Sequence, residues 1–156
     1  MTTTTDVRRE ITIEVPPDRA FDLFTNHMIG WWPAEHHVAT SPVVTMTIEP
    51  RVGGRLYDSC EDGSESVWGE ITEWDPPARF AFAWMLTGTW QLETDAAKAS
   101  RVSVSFIADG DNTRVVVVHN DFWRLGEGGQ AMADAVGAPD GWQLGLNRLA
   151  AFAVAK

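Results

Sequence analysis

The 156 residues include one cysteine, Cys60, so no disulfide can form within the chain. Basic side chains are scarce. Lys and Arg total 12 against 22 Asp and Glu, a formal charge of −10. Such a surface repels phosphate backbones and anionic membranes, and no basic run is present to offset it, which argues against nucleic-acid binding. No run of 18 apolar residues occurs, so no helical membrane span is expected. The N-terminus lacks the charged-then-apolar pattern of an export signal, and cytoplasmic residence is the default expectation. Repeats and low-complexity linkers are missing too. So are the Gly-x-Ser-x-Gly elbow, the Gly-x-Gly-x-x-Gly fingerprint and the phosphate-binding loop, which removes the usual signatures of triad hydrolases and nucleotide enzymes.

What remains is an ordinary globular composition, 44% apolar and 22% charged, with eight tryptophans. The length suits one domain over residues 6–156, with Met1–Thr5 a polar stub expected to be loose. Cys60 lies in the polar stretch Asp58–Ser64, where partial exposure and ordinary thiol behaviour are expected.

Arg8–Val15 alternates Ile11, Ile13 and Val15 with polar residues, the pattern of a half-buried strand. Pro16–Pro17 ends it, and Asp18 is placed to cap a short helix over Arg19–Thr25. Asn26–Thr40 reads as a turn of helix followed by a loop. Strand patterns then follow at Val43–Glu49, Arg55–Ser59, Ser66–Trp74, Arg79–Leu86, Ser100–Ala108 and Thr113–Asn120. Short polar turns join them, Asp62–Gly63 and Asp109–Asn112 among them, which predicts an antiparallel meander. Gly53–Gly54 suits a bend or a positive φ, and Pro76–Pro77 a strand end. After Gly137–Gly141 the period becomes helical. Trp142, Leu146, Leu149 and Ala153 share one stripe, with Asp140 a plausible N-cap.

A twisted sheet curling around one helix leaves a trough that the helix fills unevenly. Alternation turns Phe80, Phe82 and Trp84 towards that trough, with Val102, Val104 and Phe106, and then Val115, Val117 and His119. The expected cavity lining is Trp32, Phe80, Phe82, Trp84, Val104, Phe106, Val117, His119, Trp142 and Leu146. His119 is the one polar member, able to hydrogen-bond a ligand or act as a base. A packed core histidine near Asn120–Trp123 is the competing reading. Gly126–Gly129 reads as a mobile loop over the mouth. His27, Glu35, His36 and His37 match no metal-ligand spacing, so neither metal nor cofactor is expected. Leu144 and Ala151 lie opposite the helix stripe, where a homodimer contact is conceivable.

Several segments together resemble one superfamily. They are Val15–Phe21, Trp31-Trp32-Pro33, Glu49–Gly54, Gly69–Arg79, Thr113–His119, and Gly141-Trp142 with Leu146 and Leu149. Their order and spacing are similar to the SRPBCC superfamily, and within it to the group named after activator-of-heat-shock-protein-ATPase homologues. The resemblance implies an α+β helix-grip (START-like) fold, a curved antiparallel sheet wrapped around a long C-terminal helix. It also implies a hydrophobic cavity under that helix. Members bind lipids, sterols, polyketides or other apolar ligands, and some are enzymes. The eukaryotic activators carry an additional N-terminal domain with no counterpart here, so the chain looks like the stand-alone bacterial form. The leading expectation is therefore a binder of a small apolar ligand, aromatic and lipid-like molecules included. The alternatives are a cyclase, dehydratase or hydrolase using His119, and an interaction module of a chaperone or stress pathway.

Overall fold

The computed structural model describes residues 6–33, 36 and 39–155. Among them seven strands form one sheet: β1 (Val7–Ile13), β2 (Val43–Ile48), β3 (Arg55–Cys60), β4 (Glu65–Asp75), β5 (Arg79–Trp84), β6 (Ser100–Asp109) and β7 (Asn112–Asn120). Their order is β1-β7-β6-β5-β4-β3-β2, and every neighbouring pair is antiparallel. The meander is as expected. β1 returns to pair with β7, placing Val7 opposite His119. Register shifts interrupt the β2–β3, β3–β4 and β4–β5 ladders. Such bulges deepen the local twist and help bend the sheet into a trough. Gly53, in the turn before β3, has φ +83, a conformation that non-glycine residues resist. β4 stops at Asp75, ahead of Pro76–Pro77.

Among the described residues four α-helices cover the concave face: α1 (Pro17–Asn26), α2 (Met28–Trp31), α3 (Gly129–Gly137) and α4 (Trp142–Ala155). α1 begins two residues before the expected start. Proline is tolerated at the first helical position because its missing N–H would be unsatisfied there anyway. The cap position belongs to Pro16. Asp18 lies inside the first turn and accepts from the Arg19 N–H instead. α4 buries Trp142, Gly145, Leu146, Leu149 and Ala153, the stripe that the periodicity predicts.

Two expectations need correction. Gly126–Gly129 is not a loop over the mouth. A 3-10 turn over Phe122–Gly128 runs into α3, and a side chain at Gly129 would collide with the Phe122 carbonyl. Cys60 is buried, because alternation along β3 turns Leu56, Asp58 and Cys60 to the same inner face.

The trough is also more crowded than one helix would make it. α1 inserts Phe21 and Phe24 against the sheet. Phe24 meets Phe80 at 5.5 Å and Phe106 at 5.7 Å, both edge-to-face, and Phe21 meets Phe106 at 5.1 Å. This aromatic block fills one half of the trough and confines open space to the other.

Candidate functional site

A cavity of about 470 Å³ occupies that other half. Its floor is the sheet: Met46 of β2, Asp58 of β3, Trp68 of β4 and Trp84 of β5. Its roof is Trp32 and Pro33 after α2, Val136 near the end of α3, and the first turn of α4 from Gly141 to Gly145. The segment after β5 supplies Leu86 and Trp90.

Five of the eight tryptophans therefore line one cavity. Four of them touch in a closed circuit. Centroid distances are 5.4 Å for Trp32–Trp68, 5.8 Å for Trp68–Trp84, 5.5 Å for Trp84–Trp142 and 5.7 Å for Trp142–Trp32. Trp32 is tied further by its Nε1, which donates to the His36 carbonyl at 3.0 Å. Trp90 stands apart at the rim, 44% exposed, with φ +63. That left-handed conformation is unfavourable for a bulky residue and persists only where the surroundings over-determine it. Here Thr87 accepts from the N–H groups of Thr89 and Gln91 through its hydroxyl, and Gly88 abuts Gly128 backbone to backbone.

The polar groups of the wall are few. Asp58 is 2% exposed, and its Oδ1 accepts from Trp68 Nε1 at 3.0 Å. Asp140 and His36 are exposed at the mouth. Asp140 sits in the turn before α4 and contributes a carboxylate to the rim.

His119 lies one layer behind this wall and does not line it. It is fully buried, stacked on Phe122 at 4.5 Å and in edge contact with Trp84 at 5.1 Å. Trp142 Nε1 donates to His119 Nδ1 at 3.1 Å. An indole nitrogen only donates, so Nδ1 is unprotonated and the ring proton sits on Nε2, 2.8 Å from Ser100 Oγ. Burial pushes the His119 pKa down to about 3. The ring is neutral, both nitrogens are engaged, and it braces Trp142. The expectation that it meets a ligand directly is corrected.

Of the other residues expected at the cavity, Trp32, Trp84 and Trp142 reach it. Phe80, Phe82, Val104, Phe106, Val117 and Leu146 belong to the core instead, and Phe21 and Phe24 of α1 pack against Phe80 and Phe106. Asp58, Trp68 and Trp90 were not foreseen. Period-two alternation in β3 marks Asp58 as inward, since Leu56 two residues earlier is a core residue. Trp68 is three residues from the core residue Ile71, and the register shift opposite Leu56 and Tyr57 breaks the alternation between them, so the rule does not mark it. Nothing local marks Trp90. Among the described residues no cluster of His, Cys, Asp and Glu suits a metal ion; Glu35 and His37 lie outside the described residues. Among the described helices none is long and apolar enough to cross a membrane.

A bent antiparallel sheet, a C-terminal helix lying in it and a cavity beneath that helix's first turn define a domain of the helix-grip, START-like type. The chain belongs to the family described as Activator of Hsp90 ATPase homolog 1-like protein, whose model matches residues 14–153. It is similar to the solved structure of an anthrahydroquino-gamma-pyrone synthase. The two are 35% identical, covering 97% of this chain and 99% of that one, with a TM-score of 0.67. It is also similar to CalC, a self-sacrificing resistance protein from Micromonospora echinospora: 28% identity, 95% and 93% coverage, TM-score 0.65. A protein from Nitrosomonas europaea shares the fold at 14% identity, with a TM-score of 0.67 over 96% and 94% of the chains. No curated protein matches the sequence.

Proposed function

We propose that the protein binds a small, mainly apolar ligand with a flat aromatic ring, held in the tryptophan-walled cavity. One observation carries this reading: about 470 Å³ of space bounded by five indoles and few polar groups. That volume lies within the roughly 300–1,000 Å³ typical of small-molecule sites. Edge and face contacts with indoles favour planar rings over flexible chains. Native mass spectrometry of freshly purified protein tests it by showing a co-purified aromatic molecule. Titration with naphthylmethanol gives the second arm: saturable binding that weakens about ten-fold or more in Trp84→Ala is expected, in line with an aromatic contact at the centre of a site. An undiminished affinity in that variant would refute the reading.

A second reading, a cavity enzyme, is favoured by Asp58 and by the similarity to a synthase. Because His119 is engaged behind the wall, proton transfer would fall to the Asp58 carboxylate, which does touch the cavity. Turnover of a polyphenolic substrate that disappears in Asp58→Asn while the substrate still binds would support it.

A further inference from the structure

Trp90 differs from the other four indoles of the cavity wall. Those four pack on one another, whereas among the described residues no other ring stacks on Trp90. An exposed indole is commonplace by itself. An exposed indole at φ +63 is not, because little packing offsets the strain of that conformation. The chain is built to hold it there. The Thr87 carbonyl accepts from the Trp90 N–H at 2.9 Å, and the Thr87 N–H donates to the Gln91 carbonyl at 2.8 Å. The Thr87 hydroxyl accepts from the Gln91 N–H at 3.1 Å, closing the turn from inside. Leu86 pairs with Leu92 at its base, and Gly88 rests on the Gly128 backbone at its side. The turn is thus a fixed post, and the indole it carries is the part left free to swing about its side-chain bonds.

From this we infer that Trp90 is a cover for the cavity: it folds onto the outer face of a seated ligand ring, shields that ring from water and sets how fast it leaves. A flat ring in the cavity supplies the stacking partner that Trp90 lacks and buries the flank now in solvent. Swings of an exposed side chain are fast, so the empty cavity is reached without waiting for the cover. Leaving is different, because the stack must break first, and differences of this kind fall mainly on dissociation. The strained backbone has a use in this arrangement. A negative φ would turn the Cα–Cβ bond of residue 90 in another direction, so the left-handed value is what keeps the indole at the rim. This inference rests on the ligand-binding reading above and adds the control of release at the same site.

The test uses 9-anthracenemethanol, a flat fluorescent alcohol, with naphthylmethanol in excess as the chase. Stopped-flow mixing gives its association rate, the chase gives its dissociation rate, and iodide quenching of the bound probe reads how well it is shielded. The variant is Trp90→Asn, since asparagine tolerates the left-handed conformation. Net charge is unchanged, so the repulsion of iodide is the same in both proteins. Dissociation from Trp90→Asn should be about five-fold faster, within the range of one aromatic pair. Association should be no slower, and iodide should quench the bound probe several-fold more strongly than in the native protein. A second variant, Thr87→Val, removes the hydroxyl that closes the turn and leaves the indole in place. Both readouts should move in the same direction there, because the post no longer fixes where the indole points. If Trp90→Asn binds the probe with native dissociation, or with native shielding, or if its association slows, the cover inference alone is overturned. If neither alcohol binds the native protein, the ligand-binding reading fails and takes the inference with it. Should Trp90→Asn not fold, Thr87→Val decides by the same two readouts.

Discussion

Trp142 Nε1 lies 3.1 Å from His119 Nδ1, so a wall residue of the cavity hangs on a fully buried imidazole. The register explains the pairing. Val102 stands opposite His119 and Trp84 opposite Ser100, so Ser100 and His119 are diagonal neighbours behind the cavity floor. Trp142 opens α4 and reaches that diagonal from above. The histidine is an acceptor on one side and a donor on the other, which no apolar residue of its size reproduces.

Replacing His119 therefore separates packing from hydrogen bonding. His119→Phe strands the Trp142 N–H and the Ser100 hydroxyl in a dry layer, at a cost of about 1–3 kcal/mol for each orphaned group. His119→Asn places an amide oxygen near the Nδ1 position and should keep the Trp142 bond, losing less in urea denaturation and retaining more ligand affinity than the phenylalanine variant. Equal losses in both would show that the bond to Trp142 does not matter.

The same imidazole makes stability depend on pH. Its folded pKa, about 3, lies below the ordinary 6.5. Above 6.5 the ring is neutral in both states and its contribution is complete. As the pH falls towards 3 the unfolded chain takes up a proton that the folded one refuses. Stability then drops by about 1.4 kcal/mol per pH unit from this group. Below 3 the loss levels off. Denaturation midpoints of native protein and His119→Asn between pH 7 and 4 should converge on acidification; parallel curves would count against it.

Trp90 should show stability and binding moving in opposite directions. Asparagine tolerates the left-handed conformation that tryptophan resists. Trp90→Asn is expected to hold or raise stability by about 1 kcal/mol, the lower end of such strain, while weakening naphthylmethanol binding several-fold. A variant that loses stability and keeps affinity would assign Trp90 to packing instead.

Gly88 is the anchor of that segment. A Cβ built there would collide with the Gly128 backbone, and backbone on both sides leaves little room to yield. Gly88→Ala should cost about 1–3 kcal/mol through overpacking. Because the displaced segment carries Trp90, ligand affinity should fall with it. An alanine variant with native stability and affinity would mean that the two backbones separate freely.

Much of this molecule is written in local pattern. The strands carry period-two alternation, the turns carry Gly and Asp at their corners, and α4 carries a stripe at helical spacing. α3 is the exception. It begins at a glycine pair, and its buried face is Met132, Ala133 and Val136, too short a pattern to stand out. The cavity was legible only in part. Trp84 and Trp142 announce themselves by alternation and stripe. Asp58 is inward by the same rule in a strand short enough to read as polar.

The order of residues settled which side chains face inward along each strand, where the chain turns, and that a helix would close the sheet, because these follow from backbone periodicity within a few neighbours. Packing between distant segments settled which inward residues became wall and which became core. Phe21 and Phe24 arrive from α1 and fill the trough over Phe80 and Phe106, whereas over Asp58, Trp68 and Trp84 no described side chain closes the space. That outcome depends on the volumes of side chains from separate elements meeting at one place, a quantity that no local pattern encodes.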